Sequence, residues 1–207
     1  MLIVCTSCSP PASPTVAIAL PTNEFERAKL CYFASTAVTR ESEVAPTVSE
    51  AARSFYFEGL AIIARDGRPI SYPRLLALSD EFAEGEIPEH PGSWSDIEAA
   101  CNAAYPLAVG APAALPAERN ARVFMCSFLP HIVAAEYGNA GAASAEADIS
   151  KYEELTVRML PIVDAIATEE HVTTEEEFHA RAMEGLTESF SAGRPDRVAE
   201  ACVEAFP

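Results

Sequence analysis

The segment EEHVTTEEEFH, residues 169–179, holds the densest set of side chains that could do chemistry. His179 follows Glu176 by three residues and Glu175 by four, so a helix would place carboxylates and an imidazole on one face. Glu-x-x-His is half of a ferritin-like di-iron site, which needs a second copy and two further helical glutamates. The sequence has no second copy, and His171 joins His179 only if the intervening loop folds back. These four residues are the candidate metal ligands of one hypothesis, a metal-dependent hydrolase; a solvated acidic helix start is the simpler interpretation.

Other catalytic patterns are missing from the sequence. Serine and cysteine are frequent, but there is no GxSxG nucleophile elbow. There is also no GxGxxG motif and no P-loop, so we expect no nucleotide and no cofactor. His131 lies in an apolar helical stretch and Trp94 at a predicted helix start, where packing roles are expected for both.

The charge of the chain excludes two classes of partner. Its 207 residues include 31 acidic and 14 basic side chains, which gives a formal charge of −17. Such a chain repels phosphate backbones and anionic lipid headgroups, so we expect no nucleic acid binding and no charge-driven membrane binding. No stretch reaches the ~18 apolar residues of a membrane span.

The spacing of apolar residues predicts helices through most of the chain, because it is helical rather than alternating and runs of β-branched residues are missing. Thr174 with Glu177 has the spacing of a capping box, and Ser95 with Glu98 predicts another cap. Gly67 is a predicted helix stop. The sequence therefore predicts an all-α bundle of about eight helices.

Three short patterns occur twice, in the same order, in the two halves of the chain. They are CYFASTAV (31–38) with CSFLPHIV (126–133), EGLAIIARDGRP (58–69) with EGLTESFSAGRP (184–195), and CNAAYP (101–106) with CVEAFP (202–207). Three matches in register indicate an internal duplication. We predict a signal remnant or tether over 1–22 and helical repeats over 23–106 and 117–207, packed as one globular unit.

Each predicted repeat begins and ends with a helix that bears a cysteine. Four cysteines allow three pairings, and the duplication selects Cys31 with Cys101 and Cys126 with Cys202. Each bridge would close a loop of about seventy residues and stabilise the fold by about 4 kcal/mol in the chain-entropy model. Disulfides would place the protein in an oxidising compartment; the alternative is four reduced cysteines buried between helices.

The EGL and GRP patterns contain glycines and arginines with possible structural roles. Gly59 and Gly185 fall inside predicted helices at a cost of about 1 kcal/mol relative to alanine. A helix with such a glycine usually has another helix crossing close above it, and we expect this at both positions. Arg68 and Arg194 could bind an anion, cap a helix C-terminus or pair with a carboxylate.

The first fifteen residues, MLIVCTSCSPPASPT, combine an apolar run, small residues, cysteines and a Ser/Pro-rich stretch. This resembles the end of a bacterial lipoprotein signal. The resemblance implies lipidation of Cys8, which follows the small residues Thr6 and Ser7. Residues 9–22 would then be a tether, because repeated proline and serine resist helix and sheet. An ordinary N-terminus with two incidental thiols is the alternative.

The cysteine and glycine pattern resembles small secreted, disulfide-stapled helical proteins of Gram-negative bacteria, including acid-chaperone-like proteins and periplasmic immunity proteins. The resemblance rests on six residues: Cys31, Gly59, Cys101, Cys126, Gly185 and Cys202. The leading hypothesis is a non-enzymatic periplasmic or extracellular module, of an inhibitor, immunity or chaperone-like kind, that binds another envelope or secreted protein. It predicts an apolar groove between the halves and no metal, with membrane contact only through a lipid anchor. The other hypotheses are the metal-dependent hydrolase and a structural lipoprotein.

Overall fold

The structure, a computed structural model, describes residues 18–42, 44–90 and 92–207. This part of the chain forms eight α-helices and one short 3-10 helix, without a β-strand. The helices are α1 (Glu24–Ser42), α2 (Val48–Asp66), α3 (Tyr72–Glu84), α4 (Trp94–Ala104), α5 (Arg119–Asn139), α6 (Glu146–Glu169), α7 (Glu175–Ala192) and α8 (Pro195–Ala205), with the 3-10 helix at Pro106–Val109. The predicted all-α class and helix number are confirmed.

Local sequence signals set several helix ends. At the start of α7 the Thr174 hydroxyl accepts a hydrogen bond from the Glu177 N–H, and the Glu177 carboxylate accepts one from the Thr174 N–H. This is the predicted capping box, which satisfies donors that the helix leaves unpaired. Gly67 ends α2 and donates its N–H to the Ile63 carbonyl at 3.0 Å.

The predicted cap at Ser95 with Glu98 is wrong. The N-cap of α4 is Ser93, whose hydroxyl accepts from the Asp96 N–H at 3.2 Å. Ser93 has the extended backbone that an N-cap requires, whereas Ser95 already lies inside the helix. Both serines have an acidic residue three positions later, so the sequence spacing alone did not separate them.

Two disulfides staple the bundle with the predicted pairing. Cys31 of α1 is bonded to Cys101 of α4 with Cα atoms 5.7 Å apart, and Cys126 of α5 to Cys202 of α8 with Cα atoms 5.3 Å apart. All four side chains are buried. Such bonds persist in oxidising environments, so they indicate an extracytoplasmic compartment.

The main hydrophobic core draws on both halves of the chain. It includes Phe55 and Ile62 of α2 together with Leu129 of α5 and Phe190 of α7. A smaller cluster lies between α5, α6 and α8 and surrounds the second disulfide. The two halves therefore share packed surface, while the internal duplication itself stays a prediction.

Gly59 and Gly185, inside α2 and α7, both lie where another part of the protein approaches closely. A Cβ on Gly185 would lie 2.9 Å from the Cα of Met125, so α5 crosses α7 there as expected. A Cβ on Gly59 would overlap the ring of Phe190 from α7, so at this position a side chain fills the space.

The segment that joins the halves is packed rather than loose. After the 3-10 helix, Gly110 adopts a left-handed conformation with φ of 87°, and the Ala114 N–H donates to the Ala192 carbonyl at 3.1 Å. Ala108 is fully buried. Cys8, together with most of the predicted tether, lies outside the described residues.

Candidate functional site

A cleft of about 490 Å³ lies between the second half of α1, the start of α2 and the end of α3. Its lining residues are Tyr32, Phe33, Ser35, Thr36, Thr39, Arg40, Pro46, Glu50, Ala51, Ser54, Phe82, Ala83, Gly85, Ile87 and Ala140. Only Ala140, at the end of α5, comes from the second half. The cleft thus belongs mainly to the first half, whereas the sequence analysis expects a groove between the two.

Aromatic rings form the apolar surface of this cleft. The ring centroid of Phe82, from α3, lies 4.8 Å from that of Tyr32 and 6.0 Å from that of Phe33, both on α1. Phe82 is 2% exposed, so it attaches the end of α3 to α1. At the mouth, Ile87 is 54% exposed. The cleft therefore has aromatic side chains in its wall and an exposed aliphatic side chain at its mouth.

Hydroxyl groups along α1 line the cleft without offering many free donors. The Ser35 hydroxyl donates to the Tyr32 carbonyl at 2.7 Å, and the Thr39 hydroxyl donates to the Thr36 carbonyl at 2.8 Å. Because these two protons are used within the helix, an apolar group can enter the cleft without leaving the Ser35 or the Thr39 hydroxyl donor unpaired.

Arg40 connects the cleft to the only tryptophan of the chain. Its guanidinium lies 4.7 Å from the centroid of the Phe33 ring and 5.7 Å from that of Trp94, and it donates to the Phe33 carbonyl at 2.8 Å. The Trp94 ring stacks on His90 with centroids 3.9 Å apart. Desolvation lowers the pKa of Arg40 from its ordinary value. Trp94 is thus a natural optical reporter next to a cleft residue.

Two carboxyl groups lie one helical turn beyond cleft-lining residues. Glu58 follows Ser54 on α2 by four residues, and Glu136 precedes Ala140 on α5 by four. Glu58 is 5% exposed and accepts a hydrogen bond from the Ser79 hydroxyl of α3. Burial raises the pKa of Glu58 to about 8 and that of Glu136 to about 6. Glu58 therefore holds a proton at neutral pH.

A buried arginine crosses from the second half to the first. Arg194, 4% exposed, forms two hydrogen bonds of 2.7 and 2.8 Å with the Asp196 carboxylate. It also donates to the Ser49 hydroxyl at 3.0 Å and to the Ala108 carbonyl at 3.3 Å. Arg194 therefore pairs with a carboxylate, and its bond to Ala108 also satisfies a carbonyl near the end of the 3-10 helix. Arg68, at the matching position, is exposed and donates to the Ser191 hydroxyl at 2.7 Å.

The candidate metal ligands lie around the exposed start of α7. Glu175, Glu176 and His179 belong to its first turns, and His171 lies in the turn before it; all four are exposed. Within residues 18–42, 44–90 and 92–207, no group of three or more His, Cys, Asp or Glu side chains could hold a metal ion. One glutamate of this acidic start, Glu177, completes the capping box with the N-cap residue Thr174.

Comparison with known proteins gives no information about the function of this chain. No protein-family model, no curated protein and no solved structure matches this chain. Among the described residues, no helix is both long and apolar enough to span a membrane.

Glu58 is the site residue that sequence reasoning missed. The sequence analysis assigns roles to Gly59 and Arg68 of the EGL–GRP pattern, but none to Glu58. The signal was the immediate context, because Glu58 stands between Tyr56 and Phe57 on one side and Gly59 and Leu60 on the other. A carboxylate in a continuous apolar stretch is a candidate for burial and for a raised pKa.

Proposed function

We propose that the protein is an extracytoplasmic binding module whose cleft accepts an apolar side chain of another polypeptide. The observation that carries this proposal is the cleft of about 490 Å³, with Tyr32, Phe33 and Phe82 in its wall and Ile87 exposed at its mouth. Its volume falls in the range of ligand sites, about 300–1,000 Å³. Aromatic or aliphatic anchors in such pockets supply much of the energy of protein interfaces.

The shape of the cleft favours a polypeptide over an enclosed small molecule. Small-molecule sites bury most of the ligand surface and orient it with a few convergent polar groups. Here the hydroxyls of Ser35 and Thr39 are used within α1, and apolar surface continues out to Ile87. One inserted side chain, with neighbouring residues lying across the mouth, matches this arrangement.

Charge supports a basic partner. The chain carries a formal charge of −17, and long-range attraction of that size raises association rates with cations and discriminates against acidic proteins. Periplasmic or extracellular residence, with lipid anchoring through Cys8 as its finer form, belongs to this proposal. The two buried disulfides support the compartment.

The test uses short peptides and proton–nitrogen correlation NMR of the full chain. Acetyl-Lys-Phe-Lys-amide should shift the amide signals of Tyr32, Phe82 and Ile87, and acetyl-Lys-Ser-Lys-amide should not. Acetyl-Glu-Phe-Glu-amide should bind more weakly, by about tenfold at low salt, because its charge repels an acidic protein.

A pair of variants localises the binding. Ala83 is an exposed cleft residue of α3, so Ala83→Trp should fill the cleft and abolish the shifts. Ala165→Trp, at an exposed position of α6, is the matched control and should bind as the unaltered protein does. Equal binding by both variants, or no shift of cleft residues with either Phe peptide, would refute the proposal.

A further inference from the structure

The helix α3 is held against the rest of the protein by Leu75, Leu78 and Phe82, which are all buried, and by a hydrogen bond to a buried carboxyl of α2. Phe82 packs among the α1 rings, and the Ser79 hydroxyl donates to the buried Glu58 carboxyl of α2. The ion pairs Arg65–Glu81 and Arg74–Asp66, which also join α2 and α3, lie near the surface, where such pairs contribute little.

The same helix forms one wall of the cleft, because Phe82 and Ala83 line it together with Gly85 and Ile87, which follow the helix. Glu58 is covered on the α3 side by Ser79. An ionised carboxylate at this position would be a buried charge that accepts a hydrogen bond from the neutral Ser79 hydroxyl. Water could reach the carboxylate if α3 moved away from α2.

From this arrangement we propose that α3 is a proton-controlled wall of the cleft, docked while Glu58 is protonated and released when Glu58 is ionised. The cleft would be complete in acidic and neutral surroundings and would lose one wall in alkaline ones. The binding consequence rests on the proposed function, whereas the release of α3 does not.

Groups from three neighbouring helices act on Glu58. Ser79 of α3 donates a hydrogen bond that favours the ionised form, and the carboxyl of Glu136 on α5 disfavours it. The hydroxyl of Tyr32 on α1 interacts with Glu58, and burial raises its pKa to about 12, so it stays neutral. Arg40 acts on Tyr32. Between about pH 6 and 8, Glu136 is the neighbour that ionises, and its charge keeps the proton on Glu58.

The direction of the pH effect follows from linkage. The pKa of Glu58 is raised from its ordinary value of 4.5 to about 8, chiefly by desolvation. A group with a raised native pKa contributes stability that is fully present below its unfolded pKa and is lost as the pH rises through the native value. The same holds for a local opening that exposes Glu58. Docking of α3 should therefore weaken with increasing pH, most completely above about pH 8.

Hydrogen exchange of α3, followed by mass spectrometry on the full chain without ligand, tests the release. After correction for intrinsic exchange, protection of Tyr72–Glu84 should fall about tenfold from pH 6 to pH 7 and should level off above about pH 8, where Glu58 is ionised in the docked and the released state alike. Glu58→Gln should keep α3 equally protected over this range, since it cannot ionise. Glu184→Gln, at the matching but exposed position of α7, should behave as the unaltered protein does.

Two further readouts keep the proposal open to refutation. Carbon NMR of the glutamate side chains in the unaltered protein should show one carboxyl that titrates near pH 8; a Glu58 that titrates near its ordinary value would overturn the proposal. So would pH-independent protection of α3, or an unchanged loss of protection in Glu58→Gln. If α3 loosens while acetyl-Lys-Phe-Lys-amide binds the cleft equally at about pH 6 and pH 9, the role of α3 as a wall is refuted. If no peptide binds at any pH, the proposed function fails, and the exchange data still decide the release.

Discussion

The two EGL–GRP segments share the six residues of this motif, but the first buries its glutamate and the second buries its arginine. In the first, residues 58–69, Glu58 is 5% exposed and Arg68 lies at the surface. In the second, residues 184–195, the Glu184 side chain is 51% exposed and Arg194 is 4% exposed. Glu58 is buried beside the Ser79 hydroxyl and its pKa is raised to about 8, whereas Arg194 is buried in an ion pair with the Asp196 carboxylate. The same short motif therefore lies in two different environments within the fold.

The difference follows from what packs on each segment. The second segment leads into α8, where Asp196 lies two residues after Arg194 and accepts both guanidinium bonds. The first segment leads into α3, and the residue two positions after Arg68 is Ile70, whose N–H donates to the Thr187 hydroxyl of α7 at 2.8 Å. Without an acidic partner in reach, an arginine at position 68 is more stable in water.

Removal of either disulfide should give the largest loss of stability, and the loss should be similar for the two halves. The bridged cysteines are 70 and 76 residues apart in sequence. Cys31→Ala/Cys101→Ala and Cys126→Ala/Cys202→Ala should each lower the free energy of unfolding by about 4 kcal/mol, because the closed loops are nearly equal in length. Urea unfolding measures both. If one pair cost nothing, chain entropy would not explain the contribution of that disulfide.

Truncation of the two arginines should show where the halves differ. Arg194→Ala should destabilise the protein by about 3 kcal/mol, because the buried Asp196 carboxylate would lose both guanidinium hydrogen bonds and keep the more distant Arg197, 3.9 Å away, as its cationic neighbour. Arg68→Ala, the matched control, should cost at most about 1 kcal/mol, since its bond to Ser191 is exposed.

A double variant separates loss of the ion pair from loss of packing. Arg194→Met/Asp196→Leu should be more stable than Arg194→Ala, because no buried charge is left unpaired. Urea unfolding at neutral pH gives all three values. Equal losses for Arg194→Ala and Arg68→Ala would contradict the contrast between the segments.

Alanine at Gly59 or Gly185 should give smaller losses of stability, and the two losses should differ in whether a second substitution can rescue them. Gly185→Ala should cost about 2 kcal/mol despite its better helix propensity, because the new Cβ meets the backbone of Met125. Gly59→Ala should cost a similar amount, because its Cβ meets the ring of Phe190.

Rescue distinguishes backbone contact from side-chain contact. Phe190→Leu should be less harmful in the Gly59→Ala protein than alone, because the shorter side chain removes ring atoms that overlap the new Cβ. Met125→Ala should not rescue Gly185→Ala, since the Cα and N atoms of residue 125 remain in place. Additive losses in both double variants, measured by urea unfolding, would refute this assignment.

Local chemistry in the sequence determined much of the fold. Apolar spacing gave the helices, and the box formed by Thr174 with Glu177 fixed the start of α7. The cysteine pairing also followed from the sequence, through the repeated patterns, and is confirmed in Cys31–Cys101 and Cys126–Cys202. The helices and their ends depend on contacts within about one helical turn. The disulfides depend on the four cysteines of the repeated patterns.

The tertiary structure alone decided the candidate site. Tyr32, Phe33 and Phe82 read as ordinary core residues, and only the placement of α3 against α1 brings their rings together beside an open cleft. Glu58 and Glu184 share the EGL pattern, and the aromatic neighbours Tyr56 and Phe57 made Glu58 only a candidate for burial. Burial is set by the helices that cross a position, and those contacts join residues far apart in sequence. Desolvation by such neighbours raises the pKa of Glu58, so this raised pKa depends on the assembled fold.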